Sequence, residues 1–394
     1  MAAQSPKHVD WVAQALSEID GYQEESVDLI TRITEIPAPS HEEQQRGAFV
    51  AKVMKEFGFP VVQTDPVGNV LGFLPGKDPS KVIVSMAHMD TVFPMDTPLS
   101  VKRDGNILAA PGVSDNSASV AAMLLLGRIF AKNLPLPHPV LLIGNVGEEG
   151  LGDLKGSRYF CDHVGDYDFD GFKLDPATLV FLNIDGGLGH LTDAGIGSRR
   201  LKVTFTGEGG HSWGAFGKTS AIHGLGTAIA GIAKIKVPEE PKTTYNVGVI
   251  SGGISVNSIA AKADMLIDMR SVRDDTLAAV ERDVRAAIDA GAKDTGTTYE
   301  IEVVGDRPTG ANPPGSPLVN TILAVGREHG YELHRAPSST DSNIPLSKGW
   351  PSVTMGFKRS ENGHRVTEYL YIDSLVPGLK FALCCYEALL YDKS

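Results

Sequence analysis

The sequence has few cysteines, no long apolar run and no excess of basic residues. Cys161, Cys384 and Cys385 are its only cysteines, and they are too few and too badly spaced for a disulfide framework or a thiolate zinc site. No stretch approaches the roughly 20 apolar residues that a membrane-spanning helix needs. Acidic residues outnumber basic residues by 48 to 36, and the formal net charge of −12 argues against a general affinity for nucleic acid or anionic membranes.

The N-terminal twenty residues (MAAQSPKHVDWVAQALSEID) also lack the basic segment and apolar core of a secretory signal. We therefore expect a cytoplasmic protein. The composition is otherwise ordinary for a globular chain, with 42% hydrophobic and 21% charged residues. A chain of 394 residues is too long for one ordinary core, so two domains are expected.

Four short apolar runs stop abruptly at polar residues. These runs are 81–87, 139–146, 178–184 and 351–355, and they lead to His88, Glu148, Asp185 and, after a short loop, His364. Continuous apolar runs of this length are typical of strands buried on both faces of a mainly parallel sheet. Helical spacing predicts three helices in this part of the chain. The first covers 10–36 and ends before a proline, the second covers 41–57 with Ser40 as its cap, and the third covers Ser114–Ala131.

The pattern changes between residues 194 and 307. The segments 200–206 and 263–270 alternate apolar and polar residues, as half-exposed antiparallel strands do, and helical segments at 220–235 and 276–290 lie beside them. We expect an α/β fold: a catalytic domain with a mainly parallel sheet (1–193 and 308–394) and an inserted α+β domain (194–307).

The acids and histidines that follow the apolar runs are candidate metal ligands, because ligands of open α/β sheets bind beyond the carboxyl ends of strands. His88 and Asp90 are two residues apart, so their side chains start on one face, which suits a carboxylate that orients a ligating imidazole. Taken alone, this pair is as typical of a structural contact, and Asp115 is as typical of a helix cap.

Glu148 and Glu149 are adjacent, so their side chains diverge and one can bind a metal while the other faces a water molecule. Asp185 and His364 complete a set of two histidines and three carboxylates. This set suits a pair of divalent ions, zinc first, with cobalt or manganese as alternatives. Paired metals generate hydroxide near neutral pH and polarise a carbonyl oxygen.

The ordered set of these residues resembles the two-zinc exopeptidase family that includes peptidase T, glutamate carboxypeptidase, acetylornithine deacetylase and carnosinase-like dipeptidases, and favours the peptidase T-like branch. The resemblance covers nearly the whole chain and implies a phosphorylase/hydrolase-like catalytic domain. It also implies the site roles: Asp115 bridges the zincs, His88 and Asp185 complete one metal site, Glu149 and His364 complete the other, Glu148 is the general base for a zinc-bridging water, and Asp90 orients His88.

The same resemblance implies that the inserted domain is a lid and dimerisation unit. In a homodimer, His211 would reach a neighbouring active site and stabilise the oxyanion, while Asn257 and Arg270 would hold the substrate's carboxylate. The segment Ser339-Thr-Asp341 and Glu368 also match family positions, with supporting roles.

The implied reaction is hydrolysis of an amide bond in short peptides, as an aminopeptidase or a di- or tripeptidase, with a carboxypeptidase or an N-acyl-amino-acid deacylase as alternatives. Two features depart from the family pattern: Asp115 is followed by Asn116-Ser-Ala-Ser119 instead of a glycine pair, and Asp185 replaces the glutamate of carboxypeptidases and deacylases.

Two other functions fit the sequence less well, namely a serine hydrolase and a non-catalytic binding relative. Ser212 lies in a Gly-x-Ser-x-Gly sequence that would suit a serine hydrolase, but that motif must join a buried strand directly to a helix. A non-catalytic binding relative would have lost Glu148 or a ligand, and all of these residues are present.

Overall fold

The computed structural model describes residues 8–392. The first seven residues of the N-terminal stretch, in which we expect no secretory signal, lie outside the described residues. The chain divides into two compact units, one that runs to Ala194 and resumes at Ala311, and one from Gly195 to Gly310. No helix within the described residues has both the length and the apolar character needed to cross a membrane.

The α-helices of the described residues are α1 (Asp10–Ile19), α2 (Gln23–Thr34), α3 (Gln44–Glu56), α4 (Ser119–Lys132), α5 (Lys155–Asp162), α6 (Ala221–Ile232), α7 (Asp274–Thr295), α8 (Pro317–Glu328), α9 (Asn343–Ser347) and α10 (Leu375–Leu390). The strands are β1 (Val61–Thr64), β2 (Val70–Leu74), β3 (Val82–His88), β4 (Lys102–Asp104), β5 (Ile107–Ala109), β6 (Val140–Asn145), β7 (Asp168–Phe169), β8 (Phe172–Lys173), β9 (Leu179–Leu188), β10 (His190–Thr192), β11 (Ala194–Gly195), β12 (Gly197–Thr206), β13 (Gly210–His211), β14 (Thr243–Gly252), β15 (Ser258–Ile259), β16 (Lys262–Ser271), β17 (Thr298–Arg307), β18 (Gly310–Ala311), β19 (His334–Arg335), β20 (Ser352–Gly356), β21 (Ser360–Glu361) and β22 (Tyr369–Tyr371).

The first unit is built on an eight-stranded sheet with the order β1-β2-β6-β3-β9-β20-β10-β19. Its central strands β6, β3, β9 and β20 are parallel to one another, whereas β1, β2 and β10 pair antiparallel with their inner neighbours. The prediction of an α/β fold with a mainly parallel sheet is therefore confirmed.

Both faces of this sheet are covered, which explains why its strands are continuously apolar. Along β3, Val82, Val84 and Met86 pack into one core cluster, while Ile83 and Ala87 pack into another on the opposite face. Every residue of β3 is buried. The parallel arrangement brings the carboxyl ends of β6, β3, β9 and β20 to one edge of the sheet.

Two predictions about the N-terminal helices are wrong. The segment 10–36 forms two helices, because the chain turns between Ile19 and Gln23 at Gly21, a residue with low helix propensity. Ser40 does not cap α3, which begins four residues later; its hydroxyl donates instead to Asp90 Oδ2 at 2.6 Å.

The second unit has a four-stranded antiparallel sheet with the order β14-β16-β12-β17. Inward residues of β12, such as Leu201, Val203 and Phe205, are buried in a core that also includes residues of α6 and α7. The alternation along β12 and β16 matches the pattern expected of half-exposed antiparallel strands. Helix α7 extends beyond both ends of the predicted segment 276–290.

Candidate metal centre

The carboxyl edge of the parallel strands collects the predicted ligands of the first unit. Strand β3 ends at His88, and β6 ends at Asn145, a few residues before Glu149. Asp185 lies within β9, which continues to Leu188 beyond the predicted end at residue 184. His364 lies in the loop between β21 and β22, with a left-handed backbone (φ 64°).

Asp115 lies between two imidazoles. Its Oδ1 is 3.1 Å from His88 Nε2, and its Oδ2 is 3.1 Å from His364 Nε2. His364 Nε2 is also 3.0 Å from Glu149 Oε1, and His88 Nε2 is 4.0 Å from Asp185 Oδ2. The structure therefore brings all five predicted ligands into one connected cluster.

The electrostatics of the cluster favour added positive charge. Burial opposes ionisation of Asp115, but hydrogen bonds from His364 and His88 outweigh it and place the pKa of Asp115 below its usual value. Hydrogen bonds to Asp115 and Glu149 raise the pKa of His364 to about 11. Burial and the nearby Asp115 raise the pKa of Asp185.

These donors fit divalent metal ions. Nitrogen and oxygen ligands bind zinc at about 2.0–2.2 Å, which puts neighbouring ligands of one tetrahedral ion roughly 3.3 Å apart. The separations of 3.0–3.1 Å around Asp115 are close to that value. Two imidazoles and three carboxylates, held together with Asp115 between the imidazoles, can accommodate a pair of ions in place of the imidazolium protons.

Metal binding to the metal-free protein should release protons. Burial lowers the pKa of His88, but its hydrogen bonds to Asp115 and Asp90 outweigh burial and hold that pKa well above its usual value, and His364 titrates near 11. Both imidazoles are thus protonated at neutral pH and must lose their protons to bind a metal. We expect the cluster around Asp115 to release about two protons and its metal affinity to rise with pH. Calorimetric titration in buffers of different ionisation enthalpy measures this number; an enthalpy independent of the buffer would contradict it.

Asp90 anchors the turn that carries the two adjacent glutamates. Its Oδ1 accepts the main-chain N–H of Glu148 at 2.9 Å, and its Oδ2 accepts that of Glu149 at 2.9 Å. His88 Nδ1 lies 3.0 Å from the main-chain carbonyl oxygen of Asp90 and 3.5 Å from its carboxylate. Asp90 therefore contacts both the imidazole of His88 and the segment that holds Glu148.

Glu368 holds the segment that carries Asp115. This buried carboxylate accepts hydrogen bonds from the main-chain N–H groups of Gly112, Ser114 and Asp115 and from the Ser114 hydroxyl, at 2.8–3.1 Å. Asp115 has extended backbone angles (φ −107°, ψ 94°), and the regular helix α4 begins only at Ser119. The expectation that Asp115 opens a helix is thus wrong: it lies in an irregular turn before the helix.

A second buried acid lies behind His88. Asp341 Oδ2 accepts a hydrogen bond from Asn145 Nδ2 at 2.8 Å, and Asn145 is the register partner of His88 on the neighbouring strand. Burial raises the pKa of Asp341 to about 7. Of the segment Ser339-Thr-Asp341, Asp341 thus contacts the strand that pairs with the end of β3.

Sequence reasoning missed three buried charged residues near the centre. The Arg46 guanidinium, 1% exposed, donates to the carbonyl oxygens of Thr34, Ile36 and Met89, the residue between His88 and Asp90. Glu43 Oε1 accepts the N–H of Gly147 at 3.0 Å, immediately before the glutamate pair.

The third residue is Lys358, whose Nζ lies 3.2 Å from Ser119 Oγ. Burial lowers the pKa of Lys358, while the charges of Asp185 and Asp115 oppose that shift. It brings a buried positive charge close to a strongly acidic cluster.

The remaining predicted site residues lie in the second unit. His211 Nδ1 accepts the main-chain N–H groups of Trp213 and Gly214 at 3.2 and 3.3 Å. Asn257 is adjacent, because its carbonyl oxygen accepts the N–H of Ser212 at 2.9 Å. Arg270 lies on β16, where its Nε donates to Asp268 Oδ2 at 2.8 Å. The structure thus brings His211 and Asn257 together and places Arg270 on the four-stranded sheet.

Ser212 does not have the surroundings of a nucleophile elbow. It is exposed and follows the two-residue strand β13, and the next helix, α6, begins only at Ala221. A nucleophile elbow needs a buried strand that passes directly into a helix. The geometry of Ser212 gives no support to a serine hydrolase.

A parallel α/β sheet with two histidines and several carboxylates at its carboxyl edge is the arrangement of a metal-dependent hydrolase. Residues 84–388 match the family model described as "Peptidase family M20/M25/M40", and the chain belongs to this family. The resemblance inferred from the motifs is therefore confirmed, as is the prediction of a hydrolase that acts on peptide or amide bonds.

Comparison with individual proteins gives the same family. The chain is 24% identical to succinyl-diaminopimelate desuccinylase of Corynebacterium glutamicum over 88% of its own length and 92% of that protein. Its fold is similar to that of aminopeptidase PepT from Bacillus cereus (TM-score 0.71, 21% identity, 93% and 98% of the two chains). It is also similar to that of Bacillus subtilis YXEP, described as a dinuclear metal binding peptidase of the M20 family (TM-score 0.66, 16% identity, 94% and 99%).

Proposed function

We propose that the chain is a two-zinc exopeptidase that cleaves short peptides, with His88, Asp115, Glu149, Asp185 and His364 as its metal ligands. The observation that carries this proposal is the position of Asp115, whose two carboxylate oxygens each contact a different histidine. A carboxylate placed in this way can bridge two ions. The dinuclear metal binding described for YXEP supports the same number of metal ions.

Metal ions held at this cluster would supply Lewis acidity, which lowers the pKa of a water molecule and polarises an amide carbonyl. The chain supplies the proton transfers. Glu148 accepts a proton from the attacking water and delivers it to the nitrogen of the leaving amine. Glu149 has an extended backbone (φ −77°, ψ 148°), so the side chains of this adjacent pair diverge, and Glu149 contacts His364.

His211 is suited to donate a hydrogen bond to the oxyanion. Its Nδ1 accepts two main-chain N–H groups, so the neutral imidazole carries its proton on Nε2. A fixed Nε2–H donor costs no reorganisation when negative charge develops on the substrate oxygen. We propose that this donor acts in the active site of a partner subunit.

The second unit offers a surface for that dimer. Strand β14 is an edge strand of the four-stranded sheet, and edge strands leave main-chain groups open to pair with another chain. Val249 and Ile250 on this strand are 55% and 62% exposed, although both are large and apolar. Pairing of β14 with the same strand of a second copy would cover them.

The shared-site proposal predicts complementation between two inactive variants. We expect His211→Ala and Glu148→Gln to be nearly inactive alone. Co-expressed, they should recover about one quarter of the wild-type sites, because half of randomly paired dimers are mixed and each mixed dimer has one intact site. The measurement is peptidase activity of the co-expressed population; the doubly tagged mixed dimer, once isolated, should have about half of the wild-type activity.

Two further variants control this experiment. Ile250→Glu on β14 should abolish both the dimer and the recovery, whereas Val303→Glu on the opposite edge strand β17, also exposed, should leave both intact. If mixed dimers form but recover no activity, His211 does not act across subunits.

A pocket of about 270 Å³ adjoins the metal cluster and is lined by Asp185, His190, His334 and Thr340, among other residues. This volume is slightly smaller than that of typical small-molecule sites, which favours one side chain of a short substrate. Arg270 binds Asp268 through Nε, which leaves the two terminal guanidinium nitrogens as candidate donors to a substrate carboxylate. The desuccinylase relative supports a deacylase as the alternative.

A panel of blocked substrates separates the two functions. We expect cleavage of unblocked di- and tripeptides and loss of cleavage when the N-terminal amine is acetylated, as for an aminopeptidase. Cleavage of N-acetyl or N-succinyl amino acids at a higher kcat/KM than that of the free peptides would establish the deacylase instead. A chelator should abolish either activity, and a serine-directed fluorophosphonate should leave it unchanged.

A further inference from the structure

A second group of metal-binding side chains lies in the first unit, where the N-terminal segment meets the end of α8 and the middle of α10. His8, His329 and Cys384 each offer a ligand atom, and these atoms lie within 4.8 Å of one another. The two imidazole rings are stacked with centroids 5.8 Å apart. None of these residues belongs to the cluster around Asp115.

Glu387 holds His8 in place. Its Oε2 lies 2.7 Å from His8 Nδ1, and its Oε1 accepts the main-chain N–H of Val9 at 2.8 Å. A carboxylate that accepts the Nδ1–H of an imidazole leaves Nε2 as the ligating nitrogen, and this pairing is common behind metal-bound histidines. Glu387 is buried, and it lies three residues after Cys384 on the same face of α10.

We propose that His8, His329 and Cys384 bind one zinc ion, with Glu387 as the residue that orients His8. Two nitrogens and a thiolate are a normal ligand set for zinc, and a water molecule completes a tetrahedron. Binding converts the Cys384 thiol to a thiolate and releases its proton to solvent. The ion would join three segments that are distant in sequence: the start of α1, the end of α8 and α10.

The surroundings of His329 suit this role. The His329 ring stacks on that of His8, and both imidazoles are partly buried beside the buried Cys384. Cys384 is 3% exposed, which protects a bound thiolate from oxidants in solution.

Cobalt substitution tests the proposal, because a cobalt–thiolate bond gives a near-ultraviolet charge-transfer band. The cluster around Asp115 has no sulfur ligand, so only a site with a cysteine produces this band. We expect full-length metal-free protein, purified without a polyhistidine tag, to develop the band on titration with Co²⁺. Cys384→Ser should lose the band and one equivalent of bound metal while it retains peptidase activity.

Other variants separate Cys384 from the remaining thiols. His329→Ala should weaken the band independently of any folding defect in Cys384→Ser, and Cys161→Ser and Cys385→Ser, which replace the other two buried cysteines, should leave it unchanged. Absence of the band in the wild-type protein, or its persistence in Cys384→Ser, would overturn the proposal. Because peptidase activity is a separate readout, either result leaves the proposed function untouched.

Discussion

Replacement of Glu148 by glutamine should reduce kcat by about 10²–10⁴-fold, the usual contribution of a general base, while metal content stays at the wild-type level. Glutamine has nearly the same shape but cannot take a proton from water. The main-chain N–H of residue 148 keeps its hydrogen bond to Asp90, so the turn should remain in place. Steady-state kinetics and metal analysis of the same preparation provide the measurement.

Glu149→Gln is the matched control, since it makes the same chemical change one residue along the chain. Glu149 contacts His364 at 3.0 Å, so this variant should lose metal affinity and recover activity at high metal concentration. If Glu148→Gln also recovered with added metal, or kept a near-normal rate, Glu148 would not be the base.

Replacement of Asp90 by alanine should both destabilise the fold and weaken metal binding. Its two oxygens accept the buried N–H groups of Glu148 and Glu149, and each buried donor left without a partner costs about 1–3 kcal/mol. Loss of a carboxylate behind a metal-bound histidine typically weakens affinity about 10–100-fold. Denaturant unfolding of the metal-free protein and metal titration measure the two effects separately.

Ser40→Ala controls for this variant, because Ser40 gives Asp90 Oδ2 a single hydrogen bond at 2.6 Å. We expect a smaller loss of stability, about 1 kcal/mol, and little change in metal affinity. An Asp90→Ala protein with the wild-type free energy of unfolding would show that other contacts hold the turn that carries Glu148 and Glu149.

The sequence was most informative where an apolar run stops at polar residues. His88, Asp185 and the glutamate pair each follow such a run, and parallel strands necessarily present their carboxyl ends at one edge. Local pattern and sheet geometry together therefore predict that these residues meet. The contact between His364 and Asp115 is less local, and only the resemblance to a family implied it before the structure placed the two side chains 3.1 Å apart.

The residues that support the centre could not be predicted in this way. Glu43 directly precedes α3, and Arg46 lies in the first turn of this helix, which also carries other charged residues. The sequence pattern does not distinguish a buried arginine from an exposed one. Lys358 follows a buried strand but has no partner nearby in sequence. The cluster of His8, His329 and Cys384 joins three distant segments, so no spacing rule detects it.

Arg46 makes the first proposed ligand depend on a part of the chain that lies outside the family region. Its guanidinium ties the end of α2 to Met89, between His88 and Asp90, yet both Arg46 and α2 precede the region that matches the family model. The N-terminal helices provide none of the five proposed ligands, but Arg46 links the turn at the end of β3 to the end of α2. A chain shortened to the family region would retain every proposed ligand. It would lack the hydrogen bond from Arg46 to Met89, the residue that follows His88.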